Sequence, residues 1–556
     1  MRRVFAIIIF ILIAGGLFYL TTQKHTKVNL LSSQDWSHFA GAETTAQGVH
    51  IKPVGRVLTH KDTSTAQLNP SVNVRGSHLK VSGDFSIEMA ISGVDNGASL
   101  QFYGQVPVIY DEWRQERQSV RLEVTTSGLI VQIWDGTSGT SIDERIFKIH
   151  LNNDVNIMLS HQADRIIIKV DDKTLGSIPD HDIFAQKTVW VGANANLGTD
   201  GWTLRSLTAR GIGQGQVDID LPPNVVEAHD QPDALRNLAS ANPRHLPIGA
   251  AISAYPLFTD DQYRKTALGQ FSAMTPENSV KPQFIHPQKN LYAYQDADSL
   301  VEAALQNQML VHGHALVLGK ANPQWMQKTP ESERKQVMTD HITNVVGHFK
   351  GKITEWDVVN EPLSEDDIDY TNERMGLRKQ MWFDAMGEQY IDTAFQAARA
   401  ADPSAKLYLN DFGLEKDGKR WDALVALVKR LQARGVPIDG VGFESHVYHE
   451  PDVINPEVLH QHIQILASLG IVSRISEIDV LGDDKDVQAN QYADILRVCL
   501  DEPTCTSYTT WGVSDRYGST TLSDRYPIKF GKSLLWDEDF APKSALSSLQ
   551  NVLKQR

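Results

Sequence analysis

Strand-like apolar runs alternate with helical segments along residues 246–556, and this alternation limits the fold more than any other feature of the sequence. The helical segments include Trp421–Arg434 and Pro456–Leu469, and one strand signal lies near residues 270–274. Further strand signals occupy Ile248–Ile252, Met309–Leu318, Ile353–Val359, Lys406–Leu409, Gly440–Phe443, Val472–Ile478 and Ser507–Trp511. This alternation predicts a (β/α)8 barrel, with a doubly wound open sheet as the alternative. The sequence contains neither the glycine motif of a dinucleotide-binding fold nor a P-loop.

Residues 30–212 carry the period of two that is typical of half-buried strands. Apolar and polar residues alternate in Phe85–Ser92, and the pattern recurs in Val120–Val124 and Leu129–Ile133. Many short strands without a convincing helix predict a jelly-roll-like β-sandwich. Glycine and proline residues then punctuate residues 213–245, which we predict to be a linker.

The first 23 residues have the pattern of a targeting segment. Arg2 and Arg3 precede an apolar run from Val4 to Leu20, which suits either a secretory signal or a single membrane anchor. The residues after Leu20 lack the small-residue pattern of a cleavage site, which favours an uncleaved anchor. We therefore expect an extracytoplasmic protein, membrane-anchored by this segment or secreted.

Acidic residues outnumber basic residues, with 68 Asp and Glu against 53 Lys and Arg and a formal net charge of −15. This balance argues against nucleic-acid binding, because that function needs a cationic surface. The two cysteines, Cys499 and Cys505, are too few for a disulfide scaffold or a cysteine-rich zinc module. Their spacing suits a small-loop disulfide in an oxidising compartment, and two unrelated buried thiols are the alternative.

Two carboxylates stand at predicted strand ends, where the catalytic groups of a barrel lie. Glu361 follows the fourth strand between Asn360 and Pro362, and Glu477 lies inside the largely apolar seventh strand. Taken singly, the first could mark a helix start and the second could belong to a structural ion pair. Together across a barrel mouth they predict retaining glycoside cleavage, in which one carboxyl group protonates the leaving oxygen and the other attacks the anomeric carbon.

Four separate segments carry a family resemblance: PENSVK at residues 276–281, WDVVNEP at 356–362, LNDFGLE at 409–415 and ISEIDV at 475–480. Together they resemble glycoside hydrolase family 10, the family of endo-β-1,4-xylanases, over roughly residues 246–550. The resemblance implies that Glu361 is the acid/base and that Glu477 is the nucleophile. It also implies a short-spaced disulfide before the last strand, which falls on Cys499 and Cys505.

The resemblance implies roles for further residues around the two carboxylates. Asn360 would hydrogen-bond the sugar 2-hydroxyl, a contact that strengthens in the transition state, and a helix cap is the alternative. His446 would orient the nucleophile, and a core histidine is the alternative. The remaining implied sugar-binding residues, with a solvated loop or core side chains as the alternative, are Glu277, Asn278, Lys281, His314 and Trp511.

Four residues at three places in the chain depart from the pattern of the family. Leu318 and Gly319 stand where a Trp-His pair is usual, and Ser519 stands where a second tryptophan is usual. Glu444 precedes Ser-His on the sixth strand, where the family usually has Gln. Each change alters an implied sugar contact and leaves both catalytic carboxylates in place, so the reaction is better defined than the substrate.

We therefore expect a retaining endo-acting glycoside hydrolase, similar to endo-1,4-β-xylanases, that cleaves xylan or a related plant polysaccharide. The alternatives are hydrolysis of a different β-glycan and a surface glycan-binding protein with little turnover. No cofactor or catalytic metal is expected, and the membrane is expected as a partner only through the N-terminal segment. The sandwich loosely resembles a concanavalin-like jelly roll, so Tyr110, Trp113 and Trp134 could stack on carbohydrate, with core packing as the alternative.

Overall fold

The computed structural model describes the greater part of the chain. The described residues are 27–32, 42–52, 78–104, 118–134, 141–185, 187–195, 199–220, 226–287, 289, 292–364, 375–448, 453–482, 484–518 and 532–555. The predicted targeting segment at residues 1–23 lies outside these ranges, as do Tyr110, Trp113 and Ser519. Within these ranges no helix combines the length and the apolar character that a membrane span requires.

The N-terminal part consists of antiparallel strands, as the alternating pattern predicts. The strands are β1 (Val28–Asn29), β2 (Ala42–Thr45), β3 (Gly48–Ile51), β4 (His78–Ser82), β5 (Phe85–Ser92), β6 (Ala98–Tyr103), β7 (Ser119–Thr125), β8 (Gly128–Trp134), β9 (Ser141–Phe147), β10 (Asp154–Gln162), β11 (Arg165–Val170), β12 (Lys173–Pro179), β13 (Thr188–Ala195), β14 (Trp202–Gly211) and β15 (Gln216–Asp220). One sheet has the order β12-β11-β10-β5-β14-β3-β2, with β1 beside β14, and the other has the order β15-β4-β13-β6-β7-β8-β9.

A single apolar core lies between these two sheets. Ile87 and Ile168 enter it from the first sheet, and Leu100 and Ile133 enter it from the second. Because side chains alternate across a strand, Trp134 next to Ile133 lies on the outer face, where the Arg121 guanidinium stacks 4.5 Å from its ring centroid. The fold is therefore the predicted β-sandwich, and Trp134 is not part of its core.

Two regular elements lie inside residues 213–245, where the sequence predicts a linker. Strand β15 pairs with β4 and buries Val217 in the sandwich core. A helix, α1 (Leu235–Ala241), buries Leu235 and Ala239 in the barrel core, because residues four apart share one helix face. Elements this short depend on tertiary burial, so the local sequence pattern does not reveal them.

The C-terminal part is a closed barrel of parallel strands. Its strands are β16 (Ile248–Ile252), β17 (Ala273–Pro276), β18 (Leu310–Leu318), β19 (Glu355–Asn360), β20 (Lys406–Asp411), β21 (Gly440–Phe443), β23 (Val472–Val480) and β24 (Cys505–Thr510), with the short β22 (His446–Val447) beside β23. Neighbours in sequence pair throughout, β21 pairs with β23, and β24 pairs with β16 to close the ring. The pattern in sequence thus predicts the barrel correctly.

Helices surround the barrel and connect its strands. They are α2 (Ala254–Thr259), α3 (Asp261–Gln270), α4 (Pro282–Ile285), α5 (Gln295–Gln306), α6 (Gln324–Lys328), α7 (Glu331–His348), α8 (Met381–Met386), α9 (Gln389–Ala401), α10 (Lys419–Ala433), α11 (Pro456–Ser468), α12 (Lys485–Asp501) and α13 (Ser544–Gln555), with short 3-10 turns at Leu30–Ser32, Val94–Asn96 and Asp515–Tyr517. Side-chain caps fix some starts: Asp260 accepts hydrogen bonds from the backbone of Gln262 and Tyr263. The predicted disulfide joins Cys499 near the end of α12 to Cys505 at the start of β24, with their Cα atoms 5.1 Å apart.

Candidate active site

The two predicted catalytic carboxylates differ in how the backbone presents them. Glu477 lies within β23, with its carboxyl group buried. Glu361 immediately follows β19 and has a φ of 47°, in the left-handed region that side chains other than glycine rarely adopt. Its N–H donates to the Asn410 carbonyl oxygen at 2.8 Å, which holds the backbone in this conformation.

Glu477 is bound by side chains from β20 and β22. Asn410 Nδ2 donates to Glu477 Oε1 at 2.8 Å, and His446 Nε2 lies 3.4 Å from Glu477 Oε2. The other nitrogen of His446, Nδ1, lies 2.7 Å from Asp479 Oδ1. His446 is therefore held between a buried aspartate and the predicted nucleophile.

The electrostatic environment favours an ionised Glu477. Burial acts to raise the pKa of Glu477, but His314, His446 and Lys281 outweigh it and lower that pKa below its ordinary value. Burial likewise acts to lower the pKa of His446, whereas Tyr448 and Asp479 raise it well above its ordinary value. Both pKa shifts favour a protonated imidazole opposite a carboxylate, and the two groups are 3.4 Å apart.

Asn410 connects the two predicted catalytic strands. Its Nδ2 also donates to Asn360 Oδ1 at 2.8 Å, and its Oδ1 accepts from Ser476 Oγ at 2.6 Å. The neighbouring Gly442 leaves room for this amide, since a Cβ there would lie 2.1 Å from Asn410 Oδ1. One fixed amide thereby sets the orientation of both Asn360 and Glu477.

Glu361 has a more open environment, and its side chain is 27% exposed. Arg378 Nη2 donates to Glu361 Oε2 at 3.0 Å. The segment that carries Glu361 is anchored from β20, because the Leu363 N–H donates to Asp411 Oδ2 at 3.0 Å. Burial raises the pKa of Asp411 to about 6 against the opposing effect of Arg420.

A buried row of charged and imidazole side chains leads from the barrel interior to Glu477, joined by short nitrogen–oxygen contacts. His312 Nε2 lies 2.8 Å from Asp357 Oδ1, and His314 Nδ1 lies 2.9 Å from Asp357 Oδ2. His314 Nδ1 is also 3.7 Å from Glu477 Oε1. Burial acts to raise the pKa of Asp357, but His312, His314 and Arg474 lower it, so this aspartate is the fixed negative charge that orients both histidines.

The remaining predicted sugar-binding residues form a second group beside the carboxylates. The Trp511 ring has the His314 ring 5.1 Å away and the Lys281 ammonium 5.6 Å away. Lys281 Nζ donates to Asn278 Oδ1 at 2.9 Å, and Glu277 Oε2 accepts from Ser253 Oγ at 2.6 Å. His314 of β18 thus meets Trp511 after β24 and Lys281 and Asn278 after β17 in one polar and aromatic patch.

The structure therefore brings the predicted residues together at one end of the barrel. Sequence reasoning assigned no role to Asn410, Asp479, Asp357 or Arg378, although each contacts a predicted site residue. Asn410 and Asp479 carried a usable signal, because both are polar residues at the ends of buried strands. Arg378 follows a segment outside the described residues, and nothing in its local sequence predicts its contact with Glu361.

This arrangement has the parts needed for acid/base-assisted displacement at a sugar carbon. Glu477 is a buried carboxylate held by its partners, and Glu361 is a partly exposed carboxyl group with access to solvent. A flat aromatic face at Trp511 and the surrounding donors suit a polyhydroxylated ring. The chemistry matches the two-carboxylate hydrolysis of glycosides.

Comparisons with known proteins identify the family to which the barrel belongs. The family model described as glycosyl hydrolase family 10 matches residues 234–552. The endo-1,4-beta-xylanase B of Thermotoga neapolitana is 32% identical over 331 residues, which cover 58% of this chain and 92% of that protein. The beta-1,4-xylanase of Dictyoglomus thermophilum is 34% identical over 317 residues, which cover 54% of this chain and 86% of that protein.

Solved structures give the same result for the barrel. The native xylanase 10B of Thermotoga maritima is 33% identical with a TM-score of 0.53, and the match covers 58% of this chain and 98% of that one. The xylanase 10B of Thermotoga petrophila, solved in complex with xylobiose, is 32% identical with a TM-score of 0.54 and coverages of 59% and 99%. The chain belongs to glycosyl hydrolase family 10 and is a glycoside hydrolase of the xylanase type.

Proposed function

We propose that the chain cleaves internal β-1,4 linkages of xylan with retention of configuration, with Glu361 as acid/base and Glu477 as nucleophile. The observation that carries the proposal is the contrast between the two carboxyl groups: Glu477 is buried among His446, Asn410 and His314, whereas Glu361 is partly exposed beside Arg378. The matched relatives named as xylanases, and the neighbour solved with xylobiose, support xylan as the substrate.

The first step forms a covalent intermediate. A Glu477 oxygen attacks the anomeric carbon while Glu361 donates its proton to the glycosidic oxygen, so the C–O bond to the leaving sugar breaks. The lowered pKa of Glu477, which results from His314, His446 and Lys281 acting against burial, keeps the attacking group ionised. In this proposal Asn360, whose Oδ1 accepts from Asn410 Nδ2, hydrogen-bonds the sugar in this subsite.

The second step releases the sugar. Glu361, now a carboxylate, takes a proton from water, the water oxygen bonds to the anomeric carbon, and the bond to Glu477 breaks. The Arg378 guanidinium, 3.0 Å from Glu361 Oε2, stabilises the charged form that this step requires. The location fits an extracytoplasmic enzyme, because the Cys499–Cys505 disulfide needs an oxidising compartment.

The test measures the stereochemistry and the labelled residue together. Proton NMR of early xylan digestion should show the retained anomer first, and a 2-fluoro aryl xylobioside should add its sugar mass to Glu477, located by peptide mapping. Release of the inverted anomer, or a label on Glu361, would contradict the mechanism. A panel of β-glucan, mannan and xylan in the same assay tests the substrate, and faster release from another glycan would replace xylan.

A further inference from the structure

A third carboxyl group, that of Glu444, lies beside the predicted nucleophile. Glu444 follows β21, is almost fully buried and places one oxygen within 4.8 Å of both a Glu477 oxygen and a His446 nitrogen. Asn410 Nδ2 donates to Glu444 Oε1 at 3.1 Å, and His446 Nε2 lies 3.5 Å from Glu444 Oε2. The same amide and the same imidazole contact Glu477, so the two carboxyl groups share their partners.

The side-chain amide of Asn410 has one hydrogen fewer than the number of oxygens that face it. Its Nδ2 carries two hydrogens, yet three oxygens accept from it: Asn360 Oδ1 at 2.8 Å, Glu477 Oε1 at 2.8 Å and Glu444 Oε1 at 3.1 Å. The amide keeps this orientation, because turning it over would point its oxygen at the oxygens of Asn360, Glu477 and Glu444. Two acceptors can take the two amide hydrogens, and the third needs a proton from elsewhere. The longest contact belongs to Glu444, which as an acid would bring its own proton.

The charges that surround Glu444 point the same way. The negative charges of Glu477, from β23, and of Glu361, from the end of β19, both act on Glu444. Asp479 lies on the far nitrogen of His446, and the backbone carbonyl of Asp411 accepts the Glu444 N–H. Among the described residues, the cationic side chain beside Glu444 is His446, which also contacts Asp479 and Glu477. The positive charges of His314 and Lys281 lower the pKa of Glu477. When two carboxyl groups share one site, repulsion between their negative charges opposes ionisation of the second group.

We propose that Glu444 enters the reaction as a neutral carboxylic acid whose O–H positions the Glu477 carboxylate, and that ionisation of Glu444 weakens catalysis. The proposal rests on the proposed function, because it takes Glu477 as the nucleophile. Burial first, and then Glu477, raise the pKa of Glu444 well above its ordinary value, which agrees with the hydrogen count. A glutamine at this position would donate through its amide at every pH, whereas Glu444 donates only while it keeps its proton.

The test compares the full-length protein with its Glu444→Gln variant across pH. Dividing kcat/KM of the wild type by kcat/KM of the variant cancels the ionisations that both proteins share. We expect this ratio to be constant at acidic pH and to decrease about ten- to a hundredfold towards alkaline pH, because the wild type then loses one hydrogen bond to a charged group. The infrared difference spectrum at neutral pH should also show the carbonyl stretch of a protonated carboxyl group that is missing from the variant.

Glu388→Gln is the matched control, since it removes one carboxylate that pairs with Arg430 and Arg434 in the helical layer. The ratio of wild-type kcat/KM to that of Glu388→Gln should stay constant with pH. The proposal would be overturned if the ratio of wild-type kcat/KM to that of Glu444→Gln stayed constant or rose towards alkaline pH. A spectrum without the protonated band would also overturn it. Labelling of Glu477 by the 2-fluoro glycoside in both proteins separates this failure from failure of the proposed function, which would leave Glu477 unlabelled.

Discussion

Glu361 and Glu477 are the same residue type held in opposite ways. The Glu477 side chain is 6% exposed, and it is bonded by Asn410 and faced by His446 and His314, so it is fixed for attack along one direction. The Glu361 side chain is 27% exposed and is bonded to Arg378 alone among the described residues. An acid/base must meet a leaving group in one step and water in the next, which suits an accessible carboxyl group.

Removal of Glu361 should therefore affect the two steps unequally. Glu361→Ala should lose about 10²- to 10⁴-fold on xylan, the usual value of general acid–base help, because an unactivated leaving sugar needs a proton. An aryl glycoside with a good leaving group should still form the covalent intermediate, and added azide should speed its turnover. Steady-state rates with and without azide, together with intact-protein mass, are the measurements.

Glu477→Ala is the comparison for that variant. It removes the nucleophile, so neither substrate should give a covalent intermediate and azide should have no comparable effect. Equal loss of both substrates in the two variants would mean that the roles of the carboxyl groups are assigned wrongly.

At the scale of the element, the sequence predicts where the strands lie but not which side chains of different elements bond to each other. Ile248–Ile252 and Gly440–Phe443 match the predicted bounds, because buried parallel strands are continuous apolar runs. The strand-end residues Glu361 and Glu477 followed from the same pattern. Asn410 carries a polar strand-end signal, but its contact with Glu477 and the contact of Arg378 with Glu361 were not predictable, because the fold alone brings these residues together. Strand β15 and helix α1 were missed because long-range packing stabilises them.

Helix α5 contains a carboxyl group that should make stability depend on pH. Asp296 lies in its first turn, and its buried Oδ1 has no hydrogen-bond partner among the described residues. Burial raises the pKa of Asp296 to about 7, so the unfolded chain ionises first as pH rises and the folded state is penalised. Each pKa unit is worth about 1.4 kcal/mol, and the penalty therefore grows by a few kcal/mol between about pH 4 and pH 7.

Asp296→Asn removes this penalty without changing the size of the side chain. The free energy of unfolding of the variant, relative to wild type, should increase between pH 4 and pH 7 and level off above, measured by denaturant unfolding at each pH. Asp298→Asn in the same helix turn, where the aspartate instead pairs with His348, is the control and should not gain stability in this way. A gain for Asp296→Asn that is independent of pH would contradict the assignment.

At the scale of the whole molecule, the sandwich and the barrel each have their own core. No residue belongs to both apolar clusters among the described residues, and the site residues all come from the barrel and its loops. The family model begins at residue 234, so the sandwich lies outside the matched region. Carbohydrate binding by the sandwich stays a prediction, with Trp134 and Arg121 on its outer face.

A chain of residues 226–556 should therefore keep the catalytic rate of the full protein on a small soluble substrate. We expect kcat/KM for an aryl xylobioside to agree within about twofold, because surface changes away from a site have small effects. The sandwich alone, residues 27–220, should be tested for depletion from solution by insoluble xylan. A large loss of kcat/KM in the shorter chain, with its circular dichroism unchanged, would show that the sandwich contributes to the site.

The backbone conformation at residue 361 makes the best residue for stability different from the residue that catalysis needs. Its φ of 47° would suit glycine or asparagine better than glutamate, so the glutamate is kept there at a cost in folding free energy. Directed evolution that scores heat resistance alone would reward replacement of the residue that the reaction needs. Libraries built on this enzyme should therefore hold position 361 constant or include turnover in every round of screening.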